Sequence, residues 1–181
     1  IRSDDPDREF LTLEELQAAA KVECEMPVLK NAFIFSALSG LRWSDIEKLV
    51  WSEVQHSEQS GYYIRFRQKK TKGAETLPIS EQAFTLLGER KKQDDKVFDG
   101  LYYSAWHNLK LREWVMKAGI TKHITFHCAR HTYATLQITL GTDIYTVSKL
   151  LGHRHLKTTE IYAKVIDHKK QEAANKIKID L

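Results

Sequence analysis

The feature that most constrains the fold is a change of hydrophobic period in the first half of the chain. Before residue 50, apolar side chains recur at helical spacing. Between Val50 and Ile79 the pattern shortens to a period of two, with Tyr63, Arg65 and Arg67 alternating with Tyr62, Ile64 and Phe66. Alternation of this kind marks a strand with one face in the core and one in water. Three short strands are expected, over Val50 to Val54, Tyr62 to Gln68 and Glu75 to Ile79. Lys72-Gly73 stands where the last two need a hairpin turn. From Ser80 onward the helical period returns. The fold class that follows is mainly α with a small antiparallel β-sheet, an α+β chain.

Punctuation sharpens this reading. Thr12 and Glu15 form a capping-box pair, and Leu11 can staple onto Leu16, at the start of a helix reaching about Cys24. Pro27 marks a break. Val28 to Leu38 is mostly apolar and reads as a buried helix, stopped by Ser39-Gly40. Ser44 is expected to cap a short helix carrying Ile46 and Leu49, and Ser80 to cap the next helix after the strands. A turn-rich interval, Asp94 to Gly100, precedes helices over Tyr102 to Ala118 and Thr125 to Leu140, closed by Gly119 and Gly141. Ile144, Val147, Leu150 and Leu151 make a short apolar face, and Thr158 to Val165 a further short helix. In the charged tail from Asp167, Ala173, Ala174 and Ile177 fall at spacings that share one helical face.

Residues 1–8 read as a linker, and a length of 181 residues then leaves one domain over 9–181. A hydrophobic content of 42% supplies a core, and 29% charged residues a solvated surface, which argues against bulk disorder. The net charge of +4 is a mild lean towards a polyanionic partner. Cys24 and Cys128 lie far apart, so a disulfide scaffold is not indicated and a reducing compartment is expected. No apolar run approaches the ~20 residues that span a bilayer. No signal-peptide pattern follows Ile1. The expectation is a cytoplasmic chain, without a membrane partner, cut from a longer protein.

Four local patterns carry possible chemistry, and each has a plainer structural reading. In Gly40-Leu41-Arg42-Trp43-Ser44-Asp45 an arginine follows a glycine stop directly, and the plain reading is a surface pair with Asp45. In Gln68-Lys69-Lys70-Thr71-Lys72-Gly73 the lysines of a turn are ordinarily just solvated. In Thr125-Phe126-His127-Cys128-Ala129-Arg130-His131-Thr132, a helix would put His127 and Arg130 on one face, able to present an imidazole and a guanidinium to one anion. His127 and His131 have the spacing of a zinc helix, but Cys128 stands where the glutamate of that motif belongs. In the fourth, Leu151-Gly152-His153 is followed nine residues later by Tyr162, whose type in a short helix is normally a core residue.

Taken together and in this order, these patterns resemble the tyrosine recombinase family, also called phage integrases, and most of all the bacterial integrases of mobile elements. The resemblance covers nearly the whole chain, from about Glu9 to Lys170. It implies a nucleophile, Tyr162, and two arginines, Arg42 and Arg130, that clamp the scissile phosphate. It further implies that His153 donates to the same phosphate, that His127 is an acid/base histidine, and that Asp45 orients Arg42. Lys70 would protonate the leaving oxygen, with Lys69 and Lys72 as rivals. The implied partners are double-stranded DNA attachment sites and further protomers assembled on them. An additional DNA-binding domain is expected before this one.

These residue types suit the reaction. Charge grows on the phosphate oxygens in the transition state, and preorganised cationic donors stabilise it. Arginine's planar fork grips two oxygens and stays protonated. Tyrosine, with an unperturbed pKa near ~10, is a weak nucleophile until cations or a base activate it. The covalent route keeps the phosphodiester energy in a protein–DNA bond, so it requires no cofactor, no ATP and no metal. The absence of a G-x-x-x-x-G-K-[ST] pattern is in keeping with this. A type IB topoisomerase-like enzyme uses the same constellation and remains an alternative. A non-cutting DNA-binding regulator and a zinc protein built on the histidines are the others.

Overall fold

The computed structural model describes residues 9–67 and 74–180. The expected linker over 1–8 and the lysines Lys69, Lys70 and Lys72 lie outside the described residues. The described residues up to Tyr133 form one compact unit, and those from Ala134 form a second.

The first unit begins with helix α1 (Leu13–Lys21), and the capping box forms as expected. The Thr12 amide donates to Glu15 Oε1 at 3.0 Å, and the Glu15 amide to Thr12 Oγ1 at 3.1 Å. Lys122 Nζ then ties this corner down, reaching Glu15 Oε1 at 2.7 Å and the Phe10 carbonyl at 2.9 Å. Helix α2 (Pro27–Ser39) starts on Pro27, whose missing N–H is harmless at a first helical position. It ends at Gly40, whose φ of 75° is the left-handed stop that glycine adopts without strain. Leu29, Ala32, Phe33, Ile34, Phe35 and Ala37 are all buried, so this helix is apolar nearly all round and forms the middle of the core.

Helix α3 (Trp43–Lys48) has Arg42 at its N-cap, without a side-chain cap bond; Ser44, the expected cap, lies inside the first turn. Val50 to Val54 was expected as a strand, but only Val54 lies in one, and Val50 makes an isolated bridge to Lys96. Trp51 and Ser52 donate instead to the carbonyls of Asp95 and Gln93, and Trp51–Glu53 winds into a 3-10 turn. The sheet therefore starts at β1 (Val54–Ser57), followed by β2 (Gly61–Arg67) and β3 (Ala74–Pro78), antiparallel in the order β1-β2-β3. In register, Ile64 faces Val54 on one side and Leu77 on the other. These three and Phe66 are buried, while Arg65 and Arg67 are exposed, the alternation expected.

Helix α4 (Glu81–Thr85) is capped by Ser80. Helix α5 (Ala105–Lys117) is capped by Ser104 rather than beginning at Tyr102. An aromatic chain links these elements edge to face. Trp114 of α5 packs on Phe33 of α2 at 5.5 Å, Phe33 on Phe126 at 5.8 Å, and Phe126 on Trp43 of α3 at 4.7 Å. Helix α6 (Cys128–Thr139) follows Phe126-His127 directly.

The second unit holds the end of α6, then helix α7 (Ile144–Leu150), capped by Asp143. A 3-10 segment (Leu156–Tyr162) leads into helix α8 (Ala163–Ala174). Ile177 lies past the end of α8 and is 86% exposed, so it does not share a helical face with Ala173 and Ala174 as expected. No described helix is long and apolar enough to cross a membrane.

Candidate active site

In the first unit, three backbone constraints fix the segment that carries Arg42. The Gly40 amide donates to the Ser36 carbonyl at 2.7 Å, closing α2. Ser36 Oγ donates to the Leu41 carbonyl at 2.7 Å, and the Leu41 amide to Ser39 Oγ at 3.3 Å. The Arg42 carbonyl then accepts from the amides of Asp45 and Ile46, both at 3.0 Å, opening α3. Arg42 thus stands at a junction between two helices with no freedom of its backbone. The side chain is half-buried, and its Nη1 is buried with no hydrogen-bond partner among the described residues. Asp45 is 2% exposed, with Lys48 Nζ 3.8 Å from its carboxylate.

Arg130 reaches this junction from ninety positions later. Its Nη1 donates to the Gly40 carbonyl at 2.6 Å, and the residue is 6% exposed. The two arginine segments therefore share one place in the fold. His127 sits in the turn just before α6 and is exposed, while Arg130 and His131 are buried in the first turn. The Arg130 amide donates to the His127 carbonyl at 3.1 Å. Phe126, clamped between Phe33 and Trp43, seats this turn. On the far side Thr132 Oγ1 donates to the Cys128 carbonyl at 2.8 Å and accepts from the Leu11 amide at 2.9 Å.

The His127 and His131 rings pack edge to face, 4.6 Å apart at 89°. Cys128 Sγ accepts from the Thr125 amide at 3.3 Å. Among the described residues, no three His, Cys, Asp or Glu side chains gather as a metal site requires.

In the second unit, α7 ends in Gly152, with φ of 67°, and the His153 amide donates back to the Ser148 carbonyl at 3.0 Å. His153 Nδ1 lies 2.7 Å from Thr159 Oγ1, and Thr159 is wholly buried. This bond fixes the imidazole's rotation. Tyr162 is 6% exposed and ends the 3-10 segment, three residues after Thr159. The short segment from His153 to Tyr162 thus carries an imidazole, fixed by one buried threonine, and a buried phenol. Sequence reasoning used Thr158-Thr159 only as a marker ahead of Tyr162 and missed Thr159 as the partner of His153. It likewise missed the Gly40 carbonyl as the seat of Arg130, because the identity of a residue carries no trace of what its backbone accepts. Lys70 lies outside the described residues.

Chemically, the first unit offers two guanidinium groups at one backbone junction and an exposed imidazole on the adjoining turn. The second offers an oriented imidazole and a phenol on a single turn. Both sets suit an anionic substrate.

Comparison with known proteins gives the same direction. Residues 9–169 match the model of the phage integrase family. The tyrosine recombinase XerA of Saccharolobus solfataricus is 30% identical over 164 residues, which are 88% of this chain and 54% of that protein. The chain therefore spans little more than half the length of this relative. Among solved structures, XerA recombinase superposes with a TM-score of 0.73 at 22% identity, over 93% of this chain and 64% of the other. The catalytic domain of bacteriophage HP1 integrase gives 0.67 at 25% identity, over 92% of this chain and 94% of the other.

Proposed function

Because the chain belongs to the phage integrase family, we propose that residues 9–181 are the catalytic domain of a site-specific DNA recombinase, which cuts and rejoins strands through a phosphotyrosine bond. The observation that carries this reading is the 2.6 Å bond from Arg130 to the Gly40 carbonyl, beside Arg42, whose buried Nη1 has no partner among the described residues. A buried cationic donor without a partner is costly, and a phosphate oxygen would satisfy it.

In the proposed reaction, Tyr162 Oη attacks phosphorus and the bond to the 5′ oxygen breaks. The phosphate stays on the protein as a 3′-phosphotyrosine. The departing 5′ oxygen takes a proton from the hairpin lysine, assigned to Lys70 with Lys69 and Lys72 as rivals. Arg42, Arg130 and His153 stabilise the charge that develops on the non-bridging oxygens. A Thr159 hydroxyl donating to His153 Nδ1 leaves the proton on Nε2, the tautomer that a phosphate donor needs. His127 takes and returns the nucleophile's proton. A 5′-hydroxyl from another strand then gives its proton back to the lysine and attacks the phosphotyrosine, restoring a phosphodiester and releasing the tyrosine, which regains its proton from His127. One ester bond is exchanged for another, so the sequence of steps balances without ATP or metal.

The partners in this reading are double-stranded attachment sites in the cytoplasm. Exchange between two duplexes requires several protomers on DNA. The exposed residues from Gln171 to Asp180 are the segment assigned to contact between them.

The test is incubation with a nicked candidate attachment site, followed by a search for DNA joined to protein. Wild-type protein should trap a covalent adduct on Tyr162, and Tyr162→Phe should lose it while still binding DNA. An adduct that survives in the variant moves the nucleophile to Tyr133 or Tyr145. Rejoining only of the strand that was cut, never between two duplexes, would favour a topoisomerase-like activity.

A further inference from the structure

A cavity of about 460 Å³ opens beside His127 within the first unit, between the start of α5 and the turn at Phe126. Its volume falls in the ~300–1,000 Å³ range of sites that enclose small organic groups. Three aromatic rings line it. Trp43 stands edge-on to Phe126 at 4.7 Å and edge-on to Tyr103 at 6.4 Å. Tyr103 is 77% exposed and forms part of the lining. Arg112 contributes a guanidinium to the lining and His123 an imidazole.

A second feature of the same wall is independent of the aromatics. His107 is 2% exposed and lines the cavity. Its Nδ1 is engaged by Ser104 Oγ at 2.8 Å, but its Nε2 is buried with no partner among the described residues. The half-exposed Tyr102 ring flanks the imidazole at 4.3 Å. A polar nitrogen left unpaired in a cavity wall is a standing cost that a polar ligand edge removes. Flat π-faces, an unpaired ring nitrogen and a nearby guanidinium together describe a receptor for a flat, polar heterocycle attached to a phosphate.

We propose that this cavity receives one nucleobase of the DNA substrate, unstacked from the duplex next to the phosphate that His127 serves. The base stacks against Tyr103 and Trp43 and offers an edge to His107 Nε2. Its phosphate faces Arg112 and His123. The inference rests on the DNA-cutting reading above and adds a contact to the base itself. Stacking on aromatic rings is tolerant of sequence, because every base has a π-face, whereas the His107 contact discriminates between base edges.

The experiment compares two fluorescently labelled duplexes by anisotropy, one fully paired and one with a single bulged base at its centre. The wild-type chain should bind the bulged duplex at least about fivefold more tightly, the lower end of what one base–aromatic stack contributes. Tyr103→Ala should remove that preference and leave binding of the paired duplex unchanged. His107→Gln, which keeps a polar edge in the wall, should change which bulged base is preferred. Equal binding of both duplexes by wild type, or a preference that survives Tyr103→Ala, overturns the pocket while leaving the recombinase reading intact. Failure to bind either duplex overturns both.

Discussion

Arg42 occupies a helix N-cap that it does nothing to cap. Serine, threonine and aspartate are the stabilising residues there, and a cation sits badly against the positive end of a helix dipole. Its Nη1 is also buried and has no partner among the described residues. Three local costs at one residue are what the proposed role of Arg42 in the chemistry, rather than in stability, would produce. Replacement should therefore separate the two. Arg42→Ser should raise thermal stability by ~0.5–1 kcal/mol through a restored cap, yet lower DNA cleavage by at least ~10²–10³-fold, the usual loss for one transition-state donor. Arg130→Ala should lose both, since it leaves the Gly40 carbonyl without its partner. If both groups act on one phosphate as proposed, the double variant should be little worse in cleavage than either single one. Thermal melts and single-turnover cleavage check this, and an Arg42→Ser protein that melts lower with cleavage intact would refute it. The types and order of these residues were legible in the sequence, because each motif keeps its chemistry in consecutive letters. Their buried partners were not, since Thr159 and the Gly40 carbonyl acquire their roles only by tertiary contact.

At the scale of elements, what was legible was what local physics decides. The Thr12–Glu15 box, the Gly40 stop and the alternation along β2 need only neighbouring residues, and all three formed. What was misread depended on distant backbone. Val50 to Glu53 has the composition of a strand, but the Trp51 and Ser52 amides are claimed by the 93–95 segment, and Trp51–Glu53 winds into a 3-10 turn. The corner around Glu15 shows how local and distant terms combine. Burial raises the Glu15 pKa, but the hydrogen bond from Lys122, the Thr12 amide and the Lys122 charge outweigh it and hold it below the usual value. A carboxylate with a lowered folded-state pKa stabilises the fold above its unfolded pKa and loses that contribution as pH falls through the folded value. Glu15→Gln should therefore cost ~0.5–1 kcal/mol at pH 7, a modest figure because both partners are partly exposed and screened. The deficit should shrink as the pH drops below the ordinary glutamate value of ~4.3. Chemical denaturation at pH 7 and at acid pH measures it, and a deficit independent of pH would assign the effect to the cap alone.

For the whole molecule, the relevant quantity is where charge lies rather than how much there is. A net charge of +4, with 28 basic against 24 acidic residues, is too small to hold a polyanion by bulk attraction. The three-stranded sheet nevertheless puts Arg65 and Arg67 on its exposed face, next to each other along β2. Their rows-of-two spacing came from the same alternation that buries Ile64 and Phe66, so one pattern built both the core contact and a cationic surface. If that face lies on a DNA backbone, binding should be governed by counterion release, with log K falling linearly against log salt. With so small a net charge, the affinity of this chain should be weak and strongly salt-dependent. Each arginine that neutralises a phosphate contributes about one unit to the slope. Arg65→Ala and Arg67→Ala should each flatten it by about one and weaken binding of all sequences alike, with thermal stability changed by no more than about ±0.5 kcal/mol, as is usual for exposed positions. Binding isotherms at four or five salt concentrations decide the matter. A slope that both variants leave untouched would take the sheet off the DNA and leave the helices to hold the backbone.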